Sequence, residues 1–182
     1  PATIAFGAIR VVPPPGAFLQ ATAAGEAALR AAVGEAVGDA ATIADLFAGI
    51  GTFALLLAPG RRIYAAEAAR DAIAALKIAA DRAQAAVVTE HRDLFRRPLI
   101  PAELNRFAAV VLDPPRAGAA EQVQQLAGST VPRLAYVSCN PATFARDAKQ
   151  LIAGGYRLDW VQPVGQFRWS THVELMGCFS RQ

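Results

Sequence analysis

Cys139 is one of only two cysteines in the chain, and it lies where an apolar run meets a helical pattern in YVSCNPATFARD. Asn140 is a typical helix N-cap and Pro141 suits a first helical turn, so a helix is expected to begin there. The partial positive charge of that N-terminus would stabilise a thiolate and lower the thiol pKa. This position predicts a nucleophile; the alternative is a packing residue, because cysteine is often buried. Cys178, in an alternating run, is expected in the core.

A second chemical feature is the stretch VVLDPPRAG, in which Asp113 ends a predicted buried strand and two prolines follow. Proline lacks a backbone N–H and has a fixed φ, so this loop is expected to be stiff and to hold a flat substrate in place. Arg116 follows the prolines, and its guanidinium predicts a contact with a phosphate or a base edge. The alternative is a purely structural turn.

A glycine loop in DLFAGIGTFAL follows a predicted strand and precedes a predicted helix, with Gly49 and Gly51 in a G-x-G-x-x-A pattern. Glycines let the backbone turn tightly and approach a ligand closely. Glu67 ends the next strand, where a carboxylate can accept hydrogen bonds from both hydroxyls of a ribose. The pattern fits a dinucleotide or S-adenosylmethionine, because both contain an adenosine. Asp93, after the third strand, is expected either to accept from the adenine amino group or to cap a following helix.

All of these residues lie at the ends of predicted strands. From residue 41 onward, short β-rich runs alternate with alanine-rich helical stretches, which predicts an α/β fold with a mainly parallel sheet. The last two runs, YRLDWVQPVGQF and THVELMGCFS, are expected to pair antiparallel. Earlier, TIAFGAIRVV is predicted to be one strand and ATAAGEAALRAAVGEAV a helix. Ligands bind such sheets at the carboxyl ends of the strands, so one shared site is expected there.

The composition limits the class of protein. The 182 residues, 54% hydrophobic and 18% charged, suit one domain with a full core. No apolar run approaches the roughly 20 residues of a membrane helix, and the two cysteines have no spacing typical of a disulfide framework or a zinc site. A cytoplasmic setting, without membrane or metal, is expected. The chain begins on Pro1 within an apolar stretch, which favours a piece of a longer protein. Its net charge of +3 is a minor indication of phosphate contacts.

Together the motifs resemble the catalytic domain of the S-adenosylmethionine-dependent RNA 5-methyluridine methyltransferases. The resemblance covers almost the whole chain, in the order FLQAT, DLFAGIGTF, AAEAARDAIAALKIAA, HRDLF, VVLDPPRAGA, YVSCNPATFARD and STHVELMGCFSR. SCNP followed by THVE is highly specific, and DPPRAGA with SCNPATFARD favours the ribosomal-RNA branch. The family implies a Rossmann-like class I fold: a seven-stranded, mainly parallel sheet with an antiparallel last strand and helices on both faces. One catalytic domain is implied, with residues 1–38 as an N-terminal strand–helix extension.

The resemblance also implies roles for individual residues. Carbon 5 of uracil is a poor nucleophile, so a thiolate first adds to carbon 6 and creates an enolate that takes the methyl group. A base then removes the carbon 5 proton. Cys139 is implied to be the thiolate and Glu174 the base, while Arg116 and Asn140 are assigned to the RNA, expected to be 23S ribosomal RNA. The residues implied to bind S-adenosylmethionine are Gln20, Phe47, Gly49, Gly51, Thr52, Glu67, Asp93 and Asp113.

Two departures from the family pattern concern substrate geometry: Thr22 stands where asparagine is usual, and QFRWS replaces a proline-containing stretch before Thr171. Three alternatives stay open. One is the transfer-RNA branch of the same family. Another is a nicotinamide-dependent oxidoreductase, which would leave Cys139 and the DPPR loop unexplained. The third is a non-catalytic RNA-binding module that holds the cofactor, against which the presence of both Cys139 and Glu174 argues.

Overall fold

A seven-stranded sheet organises the chain in the computed structural model, which describes residues 2–20, 22–165 and 173–181. The strands are β1 Ile4–Phe6, β2 Ile9–Val11, β3 Thr42–Leu46, β4 Arg62–Glu67, β5 Val87–His91, β6 Ala109–Leu112, β7 Arg133–Ser138, β8 Arg157–Gly165 and β9 Val173–Ser180. The helices are α1 Ala23–Val37, α2 Ala54–Leu57, α3 Arg70–Arg82, α4 Pro101–Leu104, α5 Ala120–Ala127 and α6 Pro141–Ala153.

The strand order in the large sheet is β5-β4-β3-β6-β7-β9-β8. Strands β3 to β7 run parallel, whereas β9 pairs antiparallel with both β7 and β8. This topology confirms the predicted fold, including the antiparallel pair at the end of the chain. The strand order reverses between β3 and β6, and in open α/β sheets ligands bind in the crevice at such a point.

The central strands are apolar because helices cover both faces of the sheet. All four residues of β6, AVVL, are buried. On one face, α1 and α3 bring Leu29 and Leu76 into an apolar cluster; on the other face, α5 and α6 bring Val123 and Leu151 into a second cluster. The predicted placement of helices on both faces is therefore confirmed.

The starts of two helices follow from their capping residues. Thr22 caps α1, and its Oγ1 accepts a hydrogen bond of 3.0 Å from the backbone N–H of Gly25. Threonine is a good N-cap residue, so the departure from asparagine at this position keeps a capping side chain. Asn140 caps α6 by accepting a 3.0 Å bond from the N–H of Ala142, with Pro141 in the first turn, as predicted.

The prediction of one strand over TIAFGAIRVV was wrong. The segment folds back on itself as a two-stranded hairpin, in which β1 pairs antiparallel with β2. Gly7 makes this turn possible because its φ is +63°, in the left-handed region that glycine adopts readily. The hairpin is anchored by Phe6 and Val11, which are buried in the same cluster as α1 and α3. Among the described residues, no helix has the length and apolar character needed to cross a bilayer.

Candidate functional site

A cavity of about 470 Å³ lies at the carboxyl ends of the parallel strands, around the reversal between β3 and β6. It draws its lining from the loops after β3, β4, β5, β6 and β7, from β9 and from the segment before α1. The predicted site residues that line it are Gln20, Phe47, Gly49, Thr52, Glu67, Asp113, Arg116, Cys139 and Glu174. Gly51, Asp93 and Asn140 lie outside this lining.

The glycine loop after β3 contains two glycines with different roles. Gly49 has a φ of +56°, and a Cβ added there would meet no heavy atom within 4 Å. Since Gly49 lines the cavity, a ligand can approach its backbone closely. At Gly51, with a φ of +97°, an added Cβ would lie only 2.4 Å from Cδ1 of Leu76 on α3. Gly51 therefore lets the loop pack against α3, and its effect on the cavity is indirect.

An apolar wall forms part of the cavity lining. Phe47 has a φ of +64°, an uncommon conformation for an aromatic residue, and its ring contacts that of Phe95 with centroids 5.4 Å apart. Leu94, Phe95 and Ala72 complete this wall, and none of them was predicted from the sequence. The available signal was position, since Leu94 and Phe95 directly follow a predicted strand end. Such a wall can hold the flat face of an adenine.

Glu67 is held by the backbone of two loops. Its Oε2 accepts a 2.9 Å hydrogen bond from the N–H of Gly49, and its Oε1 accepts a 2.8 Å bond from the N–H of Ala69. These two donors fix the carboxylate plane at the edge of the cavity. Each carboxylate oxygen has further acceptor capacity, so Glu67 can also accept from a pair of ribose hydroxyls.

Asp93 stabilises a turn at the carboxyl end of β5. Its Oδ1 accepts from the backbone N–H groups of Phe95 and Arg96, at 3.0 and 3.3 Å. The next helix, α4, begins only at Pro101, so the alternative of a helix cap was wrong. By holding this turn, Asp93 fixes Phe95 in the cavity wall; its contact with adenine stays a prediction.

Two carboxyl groups at this end of the sheet have raised pKa values: Asp45, which lies outside the cavity lining, and Asp113, which is half-buried in the lining. Asp45 is fully buried, and its Oδ2 accepts a 2.7 Å hydrogen bond from the N–H of Ala54. Its Oδ1 has no hydrogen-bond partner among the described residues. Burial, followed by the negative charge of Glu67, raises the pKa of Asp45 to about 7. Burial and the charges of Asp45, Glu174 and Glu67 raise the pKa of Asp113 well above its usual value.

Cys139 is half-buried in the cavity, between the end of β7 and the start of α6. Its thiol pKa is raised, first by burial and next by the negative charge of Glu174, with a smaller contribution from Asp113. Arg116 acts in the opposite direction. The predicted lowering of this pKa was therefore wrong, because burial and the nearby Glu174 and Asp113 raise it. Glu174, on β9, shares the cavity with Cys139.

Asn140 is placed differently from what was expected of a substrate-binding residue. Its Oδ1 accepts from the N–H of Ala142 and its Nδ2 donates a 3.1 Å hydrogen bond to the carbonyl oxygen of Arg116. Both ends of the amide therefore contact the protein backbone. Arg116 itself is exposed and lines the cavity next to Cys139. The segment before Thr171, where the sequence departs from the family pattern, lies outside the described residues.

No group of three or more His, Cys, Asp or Glu side chains within the described ranges is arranged to hold a metal ion. The cavity lining instead combines an apolar wall, a carboxylate held by backbone donors, and a thiol beside an arginine and a second carboxylate. This arrangement can hold an adenosine-containing cofactor on the β3–β5 side and place a thiol against a second molecule on the β6–β9 side.

Comparisons with known proteins identify relatives over nearly the whole chain. The family model described as tRNA (Uracil-5-)-methyltransferase matches residues 14–182. An RNA methyltransferase of Zymomonas mobilis, described as uncharacterized, is 59% identical over 98% of this chain and 45% of its own length. The 23S rRNA (uracil(1939)-C(5))-methyltransferase RlmD of Pseudomonas fluorescens is 41% identical over 91% of this chain and 37% of its own length. The chain thus spans less than half the length of these curated relatives.

Among solved structures, the chain is similar to the tRNA (uracil-54, C5)-methyltransferase of Pyrococcus abyssi in complex with S-adenosyl-L-homocysteine. The TM-score is 0.84 at 28% sequence identity, and the match covers 98% of this chain and 44% of that protein. The M. jannaschii protein TYW2 in complex with AdoMet gives a TM-score of 0.63 at 16% identity, which is a likeness of fold.

Proposed function

The chain belongs to the tRNA (uracil-5-)-methyltransferase family, and we propose that the full-length protein transfers a methyl group from S-adenosylmethionine to carbon 5 of a uridine in RNA. One observation carries this proposal. Cys139 and Glu67 line the same cavity, and they lie at the carboxyl ends of strands on opposite sides of the reversal between β3 and β6. A nucleophile for a base and a binding site for a nucleoside cofactor are therefore within one enclosed space.

The β3–β5 side of the cavity fits S-adenosylmethionine. The space above Gly49 is open, Glu67 has acceptor capacity for the ribose hydroxyls, and Phe47 and Phe95 offer an apolar surface to the adenine. Gln20, Thr52 and Asp113 line the remaining part of the cavity, where the methionine portion would lie. When bound, this cofactor supplies an electrophilic methyl group on a sulfonium.

The β6–β9 side holds the residues that would act on the uridine. The thiolate of Cys139 adds to carbon 6 of the uracil, and the electrons of the carbon 5–carbon 6 double bond move toward the carbonyl oxygen to form an enolate. Carbon 5 of this enolate then takes the methyl group. Glu174 removes the carbon 5 proton, the double bond re-forms, and the thiolate leaves. Glu174 is half-buried on β9 in the same cavity, which supports this role.

The electrostatics of the site influence when Cys139 reacts. Burial and the charge of Glu174 raise the pKa of this thiol, which disfavours the reactive thiolate in the free protein. Arg116 is the residue in the cavity whose charge favours the thiolate. Any bound group that offsets the negative charge of Glu174 and Asp113 would shift the thiol in the same direction. We therefore expect thiolate formation to be favoured in the complex with cofactor and RNA.

Ribosomal RNA is the favoured substrate. The support is the 41% identity to a 23S rRNA methyltransferase, compared with 28% to a transfer-RNA methyltransferase. Both branches carry out the same methylation at carbon 5, so the cavity alone does not distinguish them. Assaying the full-length protein on ribosomal and transfer RNA separates the two: methylation of transfer RNA in preference to ribosomal RNA would assign the other branch.

A covalent trap tests the proposed reaction. RNA containing 5-fluorouridine carries a fluorine where the base would remove a proton, so elimination stops and the adduct persists. The full-length protein incubated with this RNA and S-adenosylmethionine should give a protein–RNA band that survives denaturing electrophoresis. The variant Cys139→Ala should give no such band, and the matched variant Cys178→Ala should retain it, because Cys178 lies on β9 outside the cavity lining. Absence of a band with the wild-type protein would contradict the covalent mechanism.

A further inference from the structure

The loop after β6 is held in place by the first two turns of α6. The side-chain amide of Asn140 donates a 3.1 Å hydrogen bond to the carbonyl oxygen of Arg116. The hydroxyl of Thr143 lies 3.1 Å from the same oxygen and 3.2 Å from the carbonyl oxygen of Asn140, so its one proton is shared between the loop and the start of α6. One turn further along, Arg146 donates a 3.0 Å hydrogen bond from a terminal guanidinium nitrogen to the carbonyl oxygen of Ala117. We refer to Asn140, Thr143, Arg146 and Asp147 together as the α6 clamp.

Asp147 is the buried centre of the clamp. Its side chain is fully buried, and its Oδ2 accepts from the backbone N–H of Ala119 at 2.8 Å and from the hydroxyl of Tyr136 at 2.6 Å. Its Oδ1 accepts from Nε of Arg146 at 2.8 Å. Both carboxylate oxygens are therefore used, and Asp147 joins the loop after β6, the strand β7 and the helix α6 in one network.

The loop needs this external support because of its own sequence. Pro114 and Pro115 have no backbone N–H group to donate. Among the described hydrogen bonds, the loop makes one internal backbone bond, from the N–H of Gly118 to the carbonyl oxygen of Pro115 at 2.9 Å. The clamp also fits closely: a Cβ at Gly118 would lie 2.6 Å from both Arg146 and Asp147. The position of Arg116 is thus set largely by α6.

Cys139 directly precedes Asn140, so the thiol and the clamp share the start of one helix. The same four side chains therefore fix the loop from Arg116 to Ala119 relative to the sulfur of Cys139. The cofactor side of the cavity is held by different donors, the backbone N–H groups of Gly49 and Ala69 on Glu67. Disturbing the clamp should therefore disturb the thiol side while leaving the cofactor side in place.

We propose that Thr143, Arg146 and Asp147 are positioning residues. They hold the loop of residues 113–119 in the position, relative to the sulfur of Cys139, that attack on carbon 6 of the uracil requires. This proposal rests on the proposed function, because it concerns the geometry of that reaction. The three residues lie outside the cavity lining, so they act through the loop and through the start of α6.

Thr143 offers the cleanest test because it has two matched substitutions. Thr143→Val keeps the shape of the side chain and removes the hydroxyl that donates to Arg116, whereas Thr143→Ser keeps the hydroxyl. In the full-length protein we expect Thr143→Val to lower kcat by about tenfold or more, since a misplacement of about 1 Å can cost about 100-fold. Thr143→Ser should restore kcat, and calorimetry should give the wild-type affinity for S-adenosylmethionine in both variants.

Tyr136→Phe tests the buried end of the clamp, with Tyr156→Phe as its control. Both substitutions remove one hydroxyl from a buried tyrosine: Tyr136 donates to Asp147, whereas Tyr156 donates a 2.7 Å hydrogen bond to the carbonyl of Val131, away from the site. A similar loss of thermal stability is expected in both. The proposal predicts that only Tyr136→Phe also lowers kcat at unchanged cofactor affinity.

The possible outcomes separate this proposal from the one on which it rests. Wild-type kcat in both Thr143→Val and Tyr136→Phe would overturn the clamp proposal while leaving uridine methylation intact. Equal losses of kcat in Tyr136→Phe and Tyr156→Phe would also overturn it, because the loss of activity would then be explained by the loss of thermal stability that both variants share. A wild-type protein that methylates no uridine in ribosomal or transfer RNA would overturn the proposed function, and the clamp proposal with it.

Discussion

Two fully buried aspartates stabilise the two sides of the cavity in different ways. Asp147, on the thiol side, has partners on both carboxylate oxygens. Asp45, beneath the glycine loop on the cofactor side, has the N–H of Ala54 on one oxygen, and the other has no hydrogen-bond partner among the described residues. Both are completely inaccessible to solvent, so the difference lies in their partners.

The two carboxyl groups therefore differ in how fully the protein supplies donors to their oxygens. A buried carboxyl group with few donors and another carboxylate nearby resists ionisation, as the raised pKa of Asp45 indicates. Asp147, with donors to both oxygens, is an anchor of the fold. Asp45 keeps an energetically costly arrangement where the protein is expected to bind a cationic cofactor, and costly features of this kind tend to lie at functional sites.

The largest expected difference between the two sides is in how the free energy of unfolding depends on pH when Asp45 or Asp147 is replaced. The pKa of Asp45 is about 7 in the folded protein and 3.8 in an ordinary environment, so the folded state keeps a proton that the unfolded state loses between these values. This contribution to the free energy of unfolding is complete below pH 3.8 and is lost as pH rises through about 7. Its full size is about 4 kcal/mol, at 1.36 kcal/mol per pKa unit.

The variant Asp45→Asn does not titrate, and its amide oxygen can still accept from Ala54. Chemical denaturation from pH 4 to pH 8 should therefore show the wild-type protein losing stability relative to Asp45→Asn as pH rises. Asp147→Asn is the control and should be less stable than wild type at neutral pH, by roughly 3 kcal/mol, because it disrupts a filled network. A constant difference between wild type and Asp45→Asn at every pH would contradict the comparison.

The next effect concerns ligand binding. Glu67→Ala removes the acceptor for the ribose hydroxyls, and two lost hydrogen bonds to a charged group amount to about 3 kcal/mol, or roughly 100-fold in affinity. Calorimetry with S-adenosylmethionine measures this directly. Cys139→Ala, on the other side of the cavity, should bind the cofactor like wild type. Equal losses in both variants would show that the two sides are not independent.

The smallest effect concerns the reactivity of Cys139 in the free protein. Glu174 raises the pKa of this thiol and Arg116 lowers it. In a Cys178→Ala background, the rate of alkylation by iodoacetamide near pH 8 should therefore rise in Glu174→Gln and fall in Arg116→Ala, because the thiolate is the reacting form. Changes of several-fold are expected. Identical rates in the Cys178→Ala protein and in its Glu174→Gln and Arg116→Ala derivatives would show that these two charges do not control the reactivity of the thiol.

The sequence predicted which residues around the glycine loop lie close together because its signals there are local; their contacts with the cofactor stay predictions. A glycine loop lies between a strand and a helix, and an acid ends the next strand, so the two are expected to be close in space. The N–H of Gly49 does donate a hydrogen bond to Glu67. The fold was predictable for the same reason, since β-rich and helical runs alternate along the chain. Phe95 was missed because an aromatic residue in a loop carries no signal of its own.

The thiol side required information that single motifs do not contain. Glu174 is one polar position on a strand, and its role came from a family resemblance. The pKa of Cys139 was mispredicted because the sequence shows the helix start but not the carboxylates that the fold brings beside it. Asn140 was assigned to the substrate, which stays a prediction; the sequence did not show that its amide holds the loop at Arg116, a contact between residues 24 positions apart. The hairpin of residues 4–11 was missed because its apolar run continues through the turn.

In the proposed reaction, Cys139 and Glu174 act at successive steps of one covalent sequence. The direct measurement is denaturing electrophoresis of the full-length protein with RNA and S-adenosylmethionine that carries a labelled methyl group. Glu174→Gln should accumulate a protein–RNA adduct that contains the label, because attack and methyl transfer precede the proton removal that this variant lacks. Cys139→Ala should give neither adduct nor methylated uridine. Normal turnover by Glu174→Gln, or methylation of uridine by Cys139→Ala, would contradict the account.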